Sequence, residues 1–330
     1  MRYFKGYHLL LLASLAACSK SSTTTDKVGN WIRRSQYSGV ARSAAASFVI
    51  NDKAYVGTGF NGTDRLNDFW MYDPDQNSWT NKSIYPGTAR SGAVGFAAGN
   101  MGYVGTGYDG TNKLKDFYKY DPSSNQWNPA PIAPFGGTAR YGAVAFTLKG
   151  KGYVTTGWDD NWLKDMWQYD PATDKWTQVK DIPNGKRTDA SSFVIGNRAY
   201  VVMGTANNAP ITDFYAYDAD KENWVQLNPI DNVSDDSFDD SYNFKGSAAA
   251  AFAMRGKGYV ACGTNSNAVW EYTPETDRWV QKTDFEGAGR TYSTGFTVKD
   301  RGFVVLGSSS SLYLDNMFEF DPTAAYNKND

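Results

Sequence analysis

The sequence predicts an all-β chain assembled from six copies of one four-stranded unit. Three observations predict it. Trp31, Trp79, Trp127, Trp176, Trp224 and Trp279 stand 48, 48, 49, 48 and 55 residues apart, and a fixed period of this length marks a repeated supersecondary unit. Between them recur the phrases AYVGTG (54–59), GYVGTG (102–107), GYVTTG (152–157), AYVVMG (199–204), GYVACG (258–263) and GFVVLG (302–307). Within each period, β-branched and aromatic residues alternate and are broken by Gly, Asn, Asp and Pro, which favours strands over helices.

Each element of the unit has its own signature. The first strand is made of small residues and ends in Phe, as in VARSAAASF to Phe48, TARSGAVGF to Phe96 and TARYGAVAF to Phe146. A tight turn such as NDK or KGK leads into the YV strand. The third strand is an aromatic cluster, FWMYDP, FYKYDP or MWQYDP, whose aspartate and proline set the next turn. The fourth carries the tryptophan, six residues after that aspartate or its substitute (Asp73 to Trp79, Thr273 to Trp279).

Four-stranded units of this length resemble kelch repeats, which form β-propeller blades. The resemblance covers residues 28–325; it departs from the family in having GTG or a relative where kelch repeats have a double glycine. The sixth unit lacks its tryptophan, since Asn327 stands six residues past Asp321. Trp31, however, precedes Phe48 by 17 residues, as Trp79 precedes Phe96. The resemblance therefore implies a six-bladed kelch-type β-propeller, four strands per blade, with the last blade closed by the N-terminal strand. Closure removes the open sheet edges that invite aggregation, and small first-strand residues suit the crowding where blades converge on an axis.

The ends read differently. Residues 1–17 form a signal peptide of lipoprotein type: Arg2 and Lys5, the apolar HLLLLASLAA, then small residues. LAAC (15–18) resembles the lipobox of bacterial lipoproteins, in which cleavage precedes the cysteine and Cys18 takes lipid. Residues 18–27 are the lipidated cysteine and a flexible polar tether, and 326–330 a short tail. Ser19 after the cysteine resembles the pattern of outer-membrane lipoproteins. The expected location is the bacterial cell envelope, lipid-anchored, at the outer rather than the inner membrane, with a monomeric domain. Without Arg2 and Lys5, 31 Lys and Arg face 35 Asp and Glu, a balance that argues against nucleic acid. Cys262 is then the one remaining thiol, so no internal disulfide forms.

Five arginines, Arg42, Arg90, Arg140, Arg187 and Arg290, stand six residues before the first-strand Phe; the fifth blade has Gly246 there, beside Lys245. Some kelch adaptors resemble this arrangement and bind acidic peptides through such arginines, whose planar forks pair carboxylates with two hydrogen bonds. Alternatively each arginine braces an aspartate of its own blade. Blades 1–4 have Asp68, Asp116, Asp165 and Asp213 two residues before the third-strand aromatic. Blade 5 lacks both partners, with Ala268 there, and blade 6 keeps Arg290 opposite Asn316, with Asp315 adjacent. Joint loss favours the brace, because an unpaired buried charge is costly.

Departures from the repeat carry the functional expectation. Trp158 and Trp162 alone among the 11 tryptophans have no repeat role. Phe60, Tyr108 and Trp158 follow the glycine in blades 1–3, where blades 4–6 have Thr205, Thr264 and Ser308. One half of the predicted binding face thus carries rings beside Asn61, Asp109 and Asp159, a combination that suits a sugar; the other use for the rings is to cap the blade tops. A segment of 11 extra residues before blade 5 carries Asp231, Asp235, Asp236, Asp239 and Asp240. It could cover the channel mouth, pair with the arginines, bind calcium through Asp231–Asp240, or be a solvated acidic loop. EF-hand spacing is absent, and no cofactor is expected.

Enzymatic options are narrow. The only histidine, His8, lies in the signal, which removes the commonest general base and metal ligand. Kelch propellers include copper-dependent galactose oxidase, but the histidine ligands and the crosslinking cysteine of that enzyme have no counterpart here. The favoured reading is a non-enzymatic binding module for a glycan or an envelope protein. The alternative, by likeness to a six-bladed kelch mutarotase of sialic acid, is mutarotation or epimerisation of an acidic sugar. In it Asp159 or Asp160 would act as base, and Arg90 and Arg140 would hold the substrate.

Overall fold

The computed structural model describes residues 27–264, 266–327 and 329. The expected signal, Cys18 and most of the tether lie outside them. Six four-stranded antiparallel sheets follow one another, each ordered from an inner to an outer strand. Blade 1 holds Ala46–Ile50, Lys53–Gly57, Phe69–Asp73 and Ser78–Lys82. The inner strands of blades 2 to 5 are Val94–Ala98, Val144–Leu148, Ser191–Ile195 and Ala250–Met254. Blade 6 holds Thr294–Val298, Arg301–Val305 and Met317–Asp321, and its outer strand is Asn30–Arg34 from the start of the chain. Trp31 faces Phe320 across that last pairing. Each inner strand packs on its neighbours, first against sixth included, so the ring is closed.

Aromatic residues hold blade to blade. In four of the six blades the third-strand tyrosine lies over the inner Phe of the blade before: Tyr120 is 6.2 Å from Phe48, Tyr169 6.1 Å from Phe96, and Tyr272 6.2 Å from Phe193. Tyr72, 6.3 Å from Phe296, continues the series across the closure. This packing explains the small residue that opens the YV strand. A Cβ on Gly102 would stand 2.2 Å from the Phe48 ring, and one on Gly152 2.1 Å from Phe96. Blades 1 and 4 have Ala54 and Ala199 in that place.

Two rounds of backbone hydrogen bonds lock the loop face. The threonine of GTG has a left-handed backbone (Thr58 φ 59°, Thr106 φ 58°), uncommon for a β-branched residue. It turns the next glycine N–H toward the following blade. Gly59 donates to Arg90 O at 2.7 Å, Gly107 to Arg140 O at 2.7 Å, and so round to Gly307 and Arg42 O at 2.8 Å. A second round links Ala44, Gly92, Gly142, Asp189, Ala248 and Tyr292. Each bonds the next at 2.8–3.1 Å, and all six have φ between 53° and 64°.

The insertion before blade 5 is more than an acidic loop. Asp235, Asp236 and Asp240 are exposed, Asp231 pairs with Lys245 at 2.9 Å rather than with a ring arginine, and Asp239 accepts from the N–H groups of Val233 and Ser234. Its far end turns inward. Phe244 stacks on Trp270 at 4.5 Å and contacts Trp279 at 4.8 Å, with Tyr242 5.9 Å from Trp270. Aromatic packing thus fills the one blade top that lacks both arginine and aspartate, as apolar residues can replace a buried ion pair. None of the insertion lines the axial cavities.

Candidate functional site

All five arginines are buried on the loop face, at most 2% exposed. Each packs its stem along the blade top and donates Nη1 to the carbonyl before the glycine that recurs in every blade: Thr58, Thr106, Thr156, Met203 and Leu306, at 2.9–3.1 Å. The guanidinium so pins the strained left-handed peptide. Four of them also grip the aspartate of their own blade: Arg42 and Asp68 at 2.5 and 2.8 Å, Arg90 and Asp116 at 2.6 and 2.9 Å, Arg140 and Asp165 at 2.6 and 2.7 Å, and Arg187 with Asp213. The Trp70 and Trp167 indoles donate to Asp68 and Asp165 as well. Burial pushes the Asp68 carboxyl up, but the bonds from Arg42 and Trp70 outweigh it and hold it below its ordinary value. Among the described residues Arg290 has no such partner.

The aromatic residues of blades 1–3 form an arc across the same face. Each of Phe60, Tyr108 and Trp158 bridges its backbone to the segment before its own inner strand, opposite Ser43, Ser91 and Tyr141. Side chains then join one blade to the next. Tyr313 meets Phe60 at 5.7 Å, Arg65 lies 5.1 Å over Phe60 and 4.7 Å over Tyr108, and Tyr108 meets Tyr141 at 5.6 Å. Trp158 and Trp162 stand edge to face at 4.7 Å, and Lys113 reaches from blade 2 to Asp160 at 2.6 Å. All four predicted rings are half-buried.

Asn61, Asp109 and Asp159 have local work. Asn61 Oδ1 accepts from the N–H groups of Thr63 and Asp64 at 2.8 and 2.7 Å, and Asp109 Oδ1 from Thr111 and Asn112 at 2.7 and 2.6 Å. Asp159 Oδ1 takes Asn161 N–H at 3.0 Å. These turns shape the loops that present the rings, and the backbone bonds from Asn112 and Thr111 hold the Asp109 carboxyl below its ordinary range.

The channel mouth holds a polar pair that the repeat pattern does not single out. The second backbone round puts six residues about the axis, and four are Ala or Gly. The other two, Asp189 and Tyr292, line one small cavity there together with Ala44, Gly92 and Gly142. Burial raises the Asp189 carboxyl from 3.8 to about 6, against bonds from Tyr292 and Thr188 that pull it down. Its only signal in the sequence is an acidic residue at a position otherwise occupied by Ala, Gly or Tyr.

Among known families, a model described as the KLHDC2/KLHL20/DRC7 Kelch-repeats domain matches residues 22–157, and one described as the Kelch motif matches 139–183. No curated protein matches the chain. A solved structure titled "Structure of YjhT" superposes with a TM-score of 0.68 over 85% of this chain and 95% of that one, at 16% identity, a likeness of fold. Two kelch models meet along consecutive units, the same unit recurs six times, and the ring closes on its own first strand: the chain is a six-bladed kelch-repeat β-propeller.

Proposed function

We propose that the propeller is a non-enzymatic binding module that takes a glycan or protein ligand on the loop face of blades 1–3. One observation carries this reading: Phe60, Tyr108, Trp158 and Trp162 present half-exposed rings there, while blades 4–6 carry small polar residues in their place. Ring faces stack on the C–H faces of sugars or on apolar side chains, and large aromatics anchor most binding surfaces. The LAAC motif supports attachment through Cys18 to the outer membrane of a bacterial envelope, with the propeller held off the surface by the tether. A glycan array and an envelope-protein pull-down, run on the wild type and on Trp158→Ala with Trp162→Ala, test the site. The double variant is expected to lose about tenfold or more in affinity; equal binding would remove these tryptophans from it.

A second reading, mutarotation or epimerisation of an acidic sugar, has Asp189 behind it. A carboxyl held near 6 at a channel mouth, beside a tyrosine, suits proton transfer at neutral pH. NMR of sugar-acid anomers decides it: acceleration lost in Asp189→Asn favours catalysis, and interconversion at the uncatalysed rate rules it out.

A further inference from the structure

The repeat supplies its own control for Arg290. In four sibling blades the same guanidinium ends on a carboxylate, but position 316 is asparagine. Arg290 is 2% exposed. Its Nε donates to Ala288 O and its Nη1 to Leu306 O, both at 3.0 Å, and Nη2 has no acceptor among the described residues. No carboxylate forms an ion pair with it among the described residues; Asp315 accepts from Gln36 and Glu286 from Trp31. A bond from Asn316, whose own Oδ1 is unpartnered, would still leave the charge uncompensated. Burial pulls the Arg290 guanidinium down to about 10, so it stays charged at neutral pH.

Beside this arginine the face is open. A cleft of about 430 Å³ lies between blades 5 and 6, lined by Arg290, Ser266, Asn267, Thr291, Ser308 and Ser310 among others. Two sequence features make it. Ser308 stands where blades 1–3 have a ring, and the loop from Gly263 to Val269 is four residues shorter than its counterpart from Gly59 to Phe69. The walls offer hydroxyls, an amide and backbone, and no aliphatic or aromatic residue stands among the described lining residues.

We propose that this cleft binds a small polyhydroxylated carboxylate, whose carboxylate pairs with Arg290 as Asp68, Asp116 and Asp165 pair with their arginines. Hydroxyl and amide groups on the walls meet the ligand's hydroxyls, and the ion pair fixes its orientation. The site lies on the opposite half of the face from the aromatic arc, so it stands or falls independently of it.

Isothermal titration of the protein with D-glucuronate and with D-glucose tests the proposal. Saturable binding of glucuronate is expected, with glucose about tenfold or more weaker, as the loss of one charge-assisted contact implies. Asn316→Asp supplies the missing carboxylate from within. It keeps the arginine and the fold, should hold or raise the melting temperature, and should abolish glucuronate binding. Trp158→Ala with Trp162→Ala should leave that binding unchanged. Failure of the wild type to bind glucuronate, equal binding of glucose, or unaltered binding in Asn316→Asp would overturn the proposal. So would a short peptide that displaces glucuronate through its free C-terminal carboxylate, which would reassign the cleft to peptide ends.

Discussion

At the scale of single residues, the loop face is governed by how each buried charge is compensated. Arg42, Arg90 and Arg140 have two carboxylate oxygens within 2.9 Å, so their desolvation is offset where it occurs. Asp189 is the opposite case. Among the described residues no cation faces it; its neighbours at the mouth are Tyr292, Thr188 and, farther off, Tyr141. With a folded value near 6 against 3.8 unfolded, the native state binds more protons than the unfolded one between those values. The contribution of this carboxyl to stability is therefore greatest below pH 3.8 and is lost as pH rises through about 6. Ionisation should cost about 2–3 kcal/mol at pH 7. Asp189→Asn is expected to exceed the wild type in urea midpoint at neutral pH, with the difference shrinking to nothing in acid. Parallel midpoint curves would mean that Asp189 titrates normally.

At the scale of strands and blades, the inter-blade fit turns on one small residue per unit. Gly102 lies under the Phe48 ring at a distance that leaves no room for a branched side chain. Gly102→Val should therefore cost about 1–3 kcal/mol through overpacking, read as a lower urea midpoint with an unchanged slope. Gly102→Ala should cost less, since Ala54 and Ala199 serve in the same place; equal penalties would point to backbone strain instead. The unit itself was legible in the sequence because tryptophan, YV and aspartate-proline recur at covalent spacings. Its partner was not, because Phe48 lies 54 residues from Gly102 and the contact exists only once blades stack. The same limit hid Tyr242 and Phe244, aromatic plugs inside a stretch whose aspartates suggest solvent. It also hid Asp189, at a position where the variation looked like background. Arg290 and Asn316 were visible as a mismatch, but only the closed blade top shows that Asp315 turns away to Gln36.

At the scale of the whole ring, closure rests on five residues. Asn30–Arg34 supplies the outer strand of blade 6, and Trp31, fully buried, packs on Phe285 at 4.8 Å and Phe320 at 4.6 Å. Arg34 adds an ion pair to Glu319 at 2.7 Å, which Arg301 also grips. Removal of this strand would bare the backbone edge of Met317–Asp321 and the hollow left by Trp31, and an unpaired edge recruits another chain. A protein beginning at Ser35 is therefore expected to unfold at lower urea and to run as dimers or larger species in size-exclusion chromatography. A peptide of residues 27–36 added in trans should restore both the midpoint and the monomer, since it carries the tryptophan and all five strand residues. The Trp31→Ala peptide should fail, because truncating so buried an aromatic costs about 3–5 kcal/mol. A shortened protein that stays monomeric and equally stable would show that the inner strands and the two backbone rounds hold the ring without its latch.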